Sequence, residues 1–379
     1  MNYLDNAATT FPKPDEVLDA VDKCQRNYAV NVGRGSYPLA SYAAKMVDET
    51  RALLADMVNA AGLEHVVFTA SATIAANEII LGLPWDAFKT VYVSPFEHNA
   101  IARPLSRMCA LNGVEMKFLP FDSKTQQWDM EETKRMFVGD PPDYVFINHI
   151  SNVTGLILPI DAIAQMAKQY GACIVVDAAQ SLGLVDINIQ KTPIDYLIFA
   201  GHKNLYASWG IGGFVSNNDT LVPVLSGGTG ADSLNLTMSD KTPVGFEVGS
   251  PNIIAIASLN ASIQWLNTVG MDVIASKKGA LMRRLIEGMR AANITLYLPG
   301  DAASHTSVLS FNVEGYAASE VGTILGEDYD IATRTGFHCA PFIHRLLDTE
   351  KTLGTVRLSL GYYNSEEDVD AVVKAIAEL

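Results

Sequence analysis

Lys203 stands directly after Gly201-His202, just past the apolar run Tyr196-Leu197-Ile198-Phe199-Ala200 and ahead of Gly210-Ile211-Gly212-Gly213. A short, apolar, β-prone run predicts a buried strand of a parallel sheet, and ligands of open α/β sheets bind beyond the carboxyl ends of their strands. The lysine therefore sits at the mouth of a strand. Cys173-Ile174-Val175-Val176-Asp177 reads as a second such strand, ending in a carboxylate, so an amine and an acid face one crevice. An amine that can form a Schiff base and a carboxylate that keeps a pyridine nitrogen protonated are the groups that a pyridoxal 5′-phosphate site requires. Taken singly, a surface lysine and a helix-capping aspartate are the plainer readings.

A phosphate needs a cradle. Val66-Val67-Phe68-Thr69 followed by Ala70-Ser71-Ala72-Thr73 supplies a strand, a small-residue turn and a helix start, where backbone N–H groups and the helix dipole favour an anion. The hydroxyls of Ser71 and Thr73 could add hydrogen bonds, or serve only as an N-cap. Thr90-Val91-Tyr92-Val93 reads as a third strand running into Ser94-Pro95-Phe96-Glu97-His98, which brings an imidazole to the same rim. His98 could stack on a flat ring, although a lone histidine is more often a hydrogen-bonded structural group.

These residues, with further motifs, resemble the cysteine desulfurase and selenocysteine lyase group of class V aminotransferases, fold type I among pyridoxal phosphate enzymes. The matching motifs are Tyr3-Leu4-Asp5-Asn6-Ala7-Ala8-Thr9-Thr10, Asn31-Val32-Gly33-Arg34-Gly35, Glu97-His98-Asn99-Ala100, Ser151-Asn152-Val153-Thr154-Gly155 and Val176-Asp177-Ala178-Ala179-Gln180-Ser181. They continue through Gly201-His202-Lys203, Phe246-Glu247-Val248-Gly249-Ser250-Pro251-Asn252, Arg334-Thr335-Gly336-Phe337-His338-Cys339-Ala340 and Arg357-Leu358-Ser359-Leu360, so the resemblance spans almost the whole chain.

The resemblance implies roles. Lys203 would carry the cofactor through its amine, Asp177 would bond the pyridine nitrogen, Gln180 the ring hydroxyl, and His98 would stack on the ring. His202, Ala72 and Thr73 would contact the phosphate. In dimeric relatives the segment around Ser250 reaches the phosphate of the neighbouring subunit, making Ser250 a candidate for that role. Asn152 and Arg357, with Arg334 and Ala7, would surround the substrate, a guanidinium being suited to bidentate contact with its carboxylate. The thiol nucleophile would be Cys339.

Of the four cysteines, Cys173 belongs to a buried strand and Cys24 and Cys109 to helix-like stretches, the usual surroundings of a thiol acting as a small hydrophobe. Cys339 differs. It lies between Gly336 and Pro341, near Arg334 and His338, and neighbouring positive charge raises the thiolate fraction of a cysteine. Three departures from the family pattern stand out: Ala200 where many relatives have a serine that bonds the phosphate, Gly33 where a histidine is common, and Phe337 where another histidine usually stands. None touches the lysine, the aspartate or the thiol.

The implied reaction is cleavage of the Cβ–sulfur bond of L-cysteine to L-alanine, with sulfur left as a persulfide on Cys339, Lys203 moving the Cα proton and His98 a donor or acceptor of protons. Release of selenide from L-selenocysteine is the alternative, and a related aminotransferase, epimerase or kynureninase-like enzyme with an incidental Cys339 a further one. A sulfur or selenium acceptor protein is a possible partner.

Positioning these groups falls to an alternation of strands and helices up to about Ser216, the signature of a mostly parallel sheet. Helices are expected over Pro14 to Lys23, Leu39 to Ala60, Asp161 to Tyr170, Ala257 to Val269, Ala280 to Ala292 and Ser365 to Leu379, the last opening with a capping box of Ser365 and Asp368. Strands are expected near Ser307 to Phe311 and Val356 to Leu360. The fold class is then α/β: a large cofactor-binding domain, 14–252, with a mostly parallel seven-stranded-type sheet, and a smaller α+β domain from 1–13 and 253–379. The loop-rich stretch from Gly227 to Pro251 is expected at a homodimer interface. With 27 basic and 42 acidic residues the net charge is −15, which disfavours nucleic acid as a partner. No membrane-spanning run, signal segment, disulfide framework or metal site is expected, and the cysteine usage suggests the cytoplasm.

Overall fold

The computed structural model describes residues 1–32, 35–229, 234–290 and 293–379. Gly33 and Arg34, Gly230 and the end of the helix expected to reach Ala292 lie outside the described residues. The central sheet has seven strands in the order Val66–Thr69, Gly212–Ser216, Tyr196–Ala200, Cys173–Asp177, Tyr144–Asn148, Val91–Val93 and Met116–Phe118. All neighbours are parallel except those of Gly212–Ser216, which is antiparallel to both. Its reversal has a simple cause: the 201–211 connection is too short for a crossover, so the chain can only return beside the strand it has just left.

Side chains alternate between the two layers of a first core, one on each face of the sheet. Val66, Phe68, Ile174, Val176, Leu197 and Phe199 enter one, while Val67, Val175, Tyr196 and Ile198 enter the other, the two-residue period of a sheet covered on both faces. Helices Ala72–Gly82, Asn99–Asn112, Met130–Gly139 and Ile160–Lys168 make the crossovers, so the strands following them deliver their carboxyl ends to one rim.

A second core gathers Leu4 with residues from Leu281 onward. Its frame is a four-stranded antiparallel sheet in the order Ile294–Tyr297, Val308–Val313, Thr355–Ser359 and Arg334–Gly336, packed by Met271–Gly288, Ala318–Tyr329 and Glu366–Ala377. The helix Ile253–Val269, which begins where the small domain was expected to start, buries Ile253, Ile256, Leu259, Ile263 and Leu266 in the first core. Asn2–Tyr3 pairs with Ile331–Ala332, tying the N-terminus to the second core. The Ser365 and Asp368 capping box forms as expected. Among the described residues, no helix is long and apolar enough to cross a membrane.

Candidate active site

Register places the lysine and the phosphate turn side by side. Ala200 pairs with Gly212 and Gly212 with Thr69, so the segments that follow Ala200 and Thr69 leave the sheet together. At that point the backbone is crowded: a Cβ on Gly212 would lie 2.6 Å from Ala72 N and 2.7 Å from Ser71 C, a separation that only glycine permits. Ser71 caps the helix, its Oγ accepting from Ile74 N at 3.3 Å. The N-cap reading and the anion-site reading are thus compatible, because an accepting hydroxyl keeps its own proton for a ligand.

Beyond these strand ends lies a cavity of about 260 Å³ lined by Ala7, Ala72, Thr73, His98, Asn152, Asp177, Ala200, His202, Lys203, Arg334, His338 and Arg357, among others. Of the residues expected at the site, Gln180 stands behind its wall, where Nε2 donates to Ala7 O at 2.8 Å. Ser250 is exposed and does not line the cavity of its own chain. Cys339 opens instead into an adjoining outer cleft of about 780 Å³, which shares Arg334 and His338 with the inner cavity. Those two residues form the partition between cofactor-sized space and thiol.

Lys203 is held by its backbone. The His202 carbonyl accepts from Thr10 N at 3.1 Å and from Lys13 Nζ at 2.8 Å, and the Lys203 carbonyl from Thr10 Oγ1 at 3.0 Å. Burial lowers the Lys203 amine to about 8, with Asp177 pulling it up and Arg357 and Arg334 pushing it further down. Asp177 is raised by burial, against the opposing pull of Lys203 and of the Ala179 N–H on Oδ1 at 2.9 Å. His202 is stacked on Trp209, ring centroids 4.0 Å apart, and burial, Lys203 and Lys13 bring it to about 3. Its Nδ1 is buried with no protein partner.

His98 is the N-cap of Asn99–Asn112, its Nδ1 accepting from Ala100 N at 3.0 Å. That bond fixes the tautomer: Nδ1 must offer a lone pair, so the ring proton sits on Nε2. Burial and then Lys203, Arg334, Arg357 and Arg103 bring its pKa to about 3. Below the rim, Glu97 is fully buried, its Oε1 accepting from Ser94 Oγ at 2.7 Å and Asn148 N at 2.6 Å. With no cation beside it, burial and the nearby Asp177 raise it to about 8.

The substrate-side residues meet across the small sheet. Arg334 and Arg357 are register partners. Arg357 is 1% exposed, with Nη2 on Asp5 Oδ1 at 2.6 Å and Nη1 on Asn152 O at 3.1 Å; its Nε is buried and unpartnered. Two arms of the guanidinium expected to grip a substrate carboxylate are therefore already engaged. Asn152 Nδ2 donates to His338 O at 2.7 Å, and Asn99 N to Cys339 O at 2.6 Å. These bonds hold a strained turn, since His338 and Cys339 have φ of 47° and 57°, a region that side-chain-bearing residues seldom adopt. Arg334 Nη2 lies 3.3 Å from Cys339 Sγ.

Sequence reasoning missed Trp209 as the platform for His202, Lys13 and Thr10 as the clasp on the lysine backbone, Asp5 as the partner of Arg357, and Gly212. Gly212 stood within the glycine run after the lysine and Asp5 within the N-terminal motif, so both carried a signal. Nothing local in the sequence pointed to Trp209 or Lys13.

The Aminotransferase class-V family model matches residues 2–372. The chain belongs to the class-V aminotransferase family. It is 33% identical to a probable cysteine desulfurase of Pyrococcus abyssi, covering 100% of this chain and 94% of that protein. It is 31% identical to the cysteine desulfurase of Salmonella agona, covering 100% and 93%. Among solved structures, a cysteine desulfurase of Thermococcus onnurineus NA1 superposes with a TM-score of 0.92 at 32% identity, over 99% of this chain and 94% of that one. A cysteine desulfurase of Escherichia coli, in an S-sulfonic acid form, gives 0.87 at 26% identity over 100% and 94%. The large and small sheets are thus those of fold type I enzymes in this family, and the chain is an enzyme.

Proposed function

We propose that this protein is a pyridoxal-phosphate-dependent cysteine desulfurase that acts as a homodimer, converting L-cysteine to L-alanine and leaving the sulfur on Cys339. The observation that carries this reading is the partition: Lys203 and Asp177 line one cavity, Cys339 lines the next, and Arg334 and His338 belong to both. An enzyme that only moved an amino group would have no use for a thiol opening beside its cofactor.

The residues present fit the cofactor. Asp177, buried at a strand end, has a carboxylate to offer a pyridine N–H. The unpartnered His202 Nδ1 and the turn kept open by Gly212 suit a phosphate, with Ser250 of a neighbouring subunit as a further contact; Gln180, whose Nε2 is engaged by Ala7 O behind the wall, would have to give up that bond to reach the ring hydroxyl. When bound, pyridoxal phosphate supplies an electrophilic carbon for an amine and a sink for the electrons of a deprotonated Cα.

The chain's own side chains handle the rest. Lys203 Nζ, near 8, is partly neutral at physiological pH, so its free amine would be able to take the Cα proton of the substrate. His98, locked with its proton on Nε2 by the cap bond, offers a flat face and a hydrogen-bond donor but no lone pair toward the cavity. Proton abstraction in this reading falls to Lys203, with His98 as a stacking face and a proton donor. Arg334, with the donors of Arg357 and Asn152 that their bonds to Asp5, Asn152 O and His338 O leave over, would orient the substrate carboxylate. Cys339 thiolate then attacks the substrate sulfur: an S–S bond forms, the Cβ–S bond breaks with its electron pair passing to carbon, and the sulfur keeps its proton as a terminal S–H. The test supplies L-cysteine and L-selenocysteine separately, measuring alanine, sulfide and selenide, with mass spectrometry of the Cys339 peptide. Alanine and a Cys339 persulfide are expected from cysteine; alanine without any persulfide would overturn the reading.

A further inference from the structure

Cys339 lines the outer cleft rather than the inner cavity, and the charged side chains lining that cleft are predominantly cationic. Against a net charge of −15, its lining contains Arg103, Arg334 and Arg345 but only one carboxylate, Glu350. Glu350 lies 3.4 Å from Arg345, whereas Arg103, exposed on the Asn99–Asn112 helix, forms no ion pair among the described residues. Positive charge from Arg103 reaches far enough to lower the pKa of His98 on the inner side. The volume, about 780 Å³, is of the size that takes a small organic ligand rather than a single ion. Asn99 and Ser106 add neutral hydrogen-bonding groups, and Phe337 and Phe342 add apolar surface.

We propose that this cleft is a binding site for a small thiol bearing one or more carboxylates, which removes the terminal sulfur from Cys339; the proposal rests on the desulfurase reading. The acceptor's carboxylates would be met by Arg103 and Arg345, leaving its sulfur over the cysteine. Its thiolate attacks the outer sulfur of the persulfide, a new S–S bond forms on the acceptor, and the Cys339–sulfur bond breaks. The electron pair returns to Cys339 Sγ, beside Arg334 Nη2 at 3.3 Å, and the proton stays on the transferred sulfur. The exchange needs no external oxidant or reductant. In a chain of net charge −15, this positive lining would act as a filter on which thiol is admitted.

The experiment separates charging from discharge. The holoenzyme is first charged with limiting L-cysteine and the Cys339 persulfide verified by mass spectrometry; its absence would overturn the desulfurase reading, and this proposal with it. Discharge is then timed with glutathione and 3-mercaptopropionate against 2-mercaptoethanol, matched in thiolate concentration. A preference of about tenfold or more for the carboxylate-bearing thiols is expected at low ionic strength, shrinking toward unity near 0.5 M salt, as roughly expected for partly exposed charges. Arg103→Ala should lower that preference severalfold without changing the rate with 2-mercaptoethanol. Equal discharge by charged and neutral thiols, or a preference indifferent to both salt and Arg103→Ala, would overturn the proposal while leaving the desulfurase reading intact.

Discussion

Lys203 and Cys339 do different work, and each can be removed without the other. An amine reacts with an aldehyde only when neutral, and the Lys203 amine is brought down to about 8 by burial against the pull of Asp177. Its neutral fraction therefore rises with pH below 8 and levels off above it. Cofactor-free protein should capture pyridoxal phosphate about tenfold faster per pH unit up to that point, and Asp177→Asn should move the midpoint down because the charge that favours the ammonium is gone. Stopped-flow absorbance reads both, and a midpoint near that of free lysine would refute the argument. Cys339→Ala leaves that capture intact. It should reduce cysteine turnover by three orders of magnitude or more, equivalent to over about 4 kcal/mol of barrier, with borohydride still fixing the cofactor on Lys203. Both residues were legible in the sequence because each sits at a place where chain direction changes, one after a buried strand and the other in an irregular segment. The partners that control them were less legible. Asp5 stood in the N-terminal motif without its partner Arg357 being legible, and Trp209 on His202 depends on a contact that local pattern does not encode.

At the scale of elements, the site depends on how closely two strand ends can approach. Gly212→Ala would drive a methyl group to within 2.6 Å of Ala72 N, and backbone cannot yield there without tilting the helix start that faces the phosphate. Cofactor affinity should fall about tenfold or more, roughly 1.4 kcal/mol, while far-ultraviolet circular dichroism stays unchanged; unchanged affinity in equilibrium dialysis would refute the role of that contact. Glu97 links the strands Val91–Val93 and Tyr144–Asn148 through Ser94 and Asn148. Its folded pKa, about 8, is above that of an exposed carboxyl, so its contribution to stability is complete below the unfolded pKa and is lost as pH rises through 8. Glu97→Gln should therefore flatten the loss of stability between pH 6 and 9, each pKa unit being worth about 1.4 kcal/mol; thermal unfolding across that range reads it, and parallel curves for both proteins would count against a neutral Glu97. Strand runs such as Tyr196–Ala200 and Cys173–Asp177 were legible to the residue, since buried apolar runs bounded by polar groups leave little choice of ends. Two helix starts were not, unlike that of the last helix, which the Ser365 and Asp368 capping box fixes. Asn252 Oδ1 accepts from Ala255 N at 3.2 Å, starting that helix at Ile253 rather than Ala257, and Met271–Gly288 begins directly after Gly270, nine residues ahead of the apolar pattern at Ala280.

At the scale of the whole molecule, several large apolar side chains are left uncovered by a single chain. Val222, Leu225, Leu234, Leu236 and Val244 are all exposed, Leu236 fully at 100%, and so is Trp209 beside the cofactor cavity. Leu234, Leu236 and Val244 lie in the loop-rich stretch Gly227 to Pro251 that the sequence assigned to a dimer interface, and Val222 and Leu225 stand just ahead of it; exposed large apolar side chains grouped in this way suit an interaction surface. The stretch is anchored from beneath, because Glu247 accepts from Arg51 Nη1 at 2.6 Å and from Phe68 N at 2.7 Å, so Ser250 is carried on a fixed base rather than a free loop. If two copies meet through this face, a buried leucine contributes roughly 1.5–3 kcal/mol, and two per protomer make the surface decisive for assembly. The double variant Leu234→Glu/Leu236→Glu should then sediment as a monomer with native circular dichroism, and should hold pyridoxal phosphate more weakly because the neighbouring Ser250 no longer reaches it. Ser250→Ala separates the two effects: it should remain a dimer and lose about 1 kcal/mol of cofactor binding, the worth of one hydrogen bond. A wild-type protein that sediments as a monomer with full activity would refute the shared site, and a Ser250→Ala dimer with unaltered cofactor affinity would leave the interface standing but remove that serine from it.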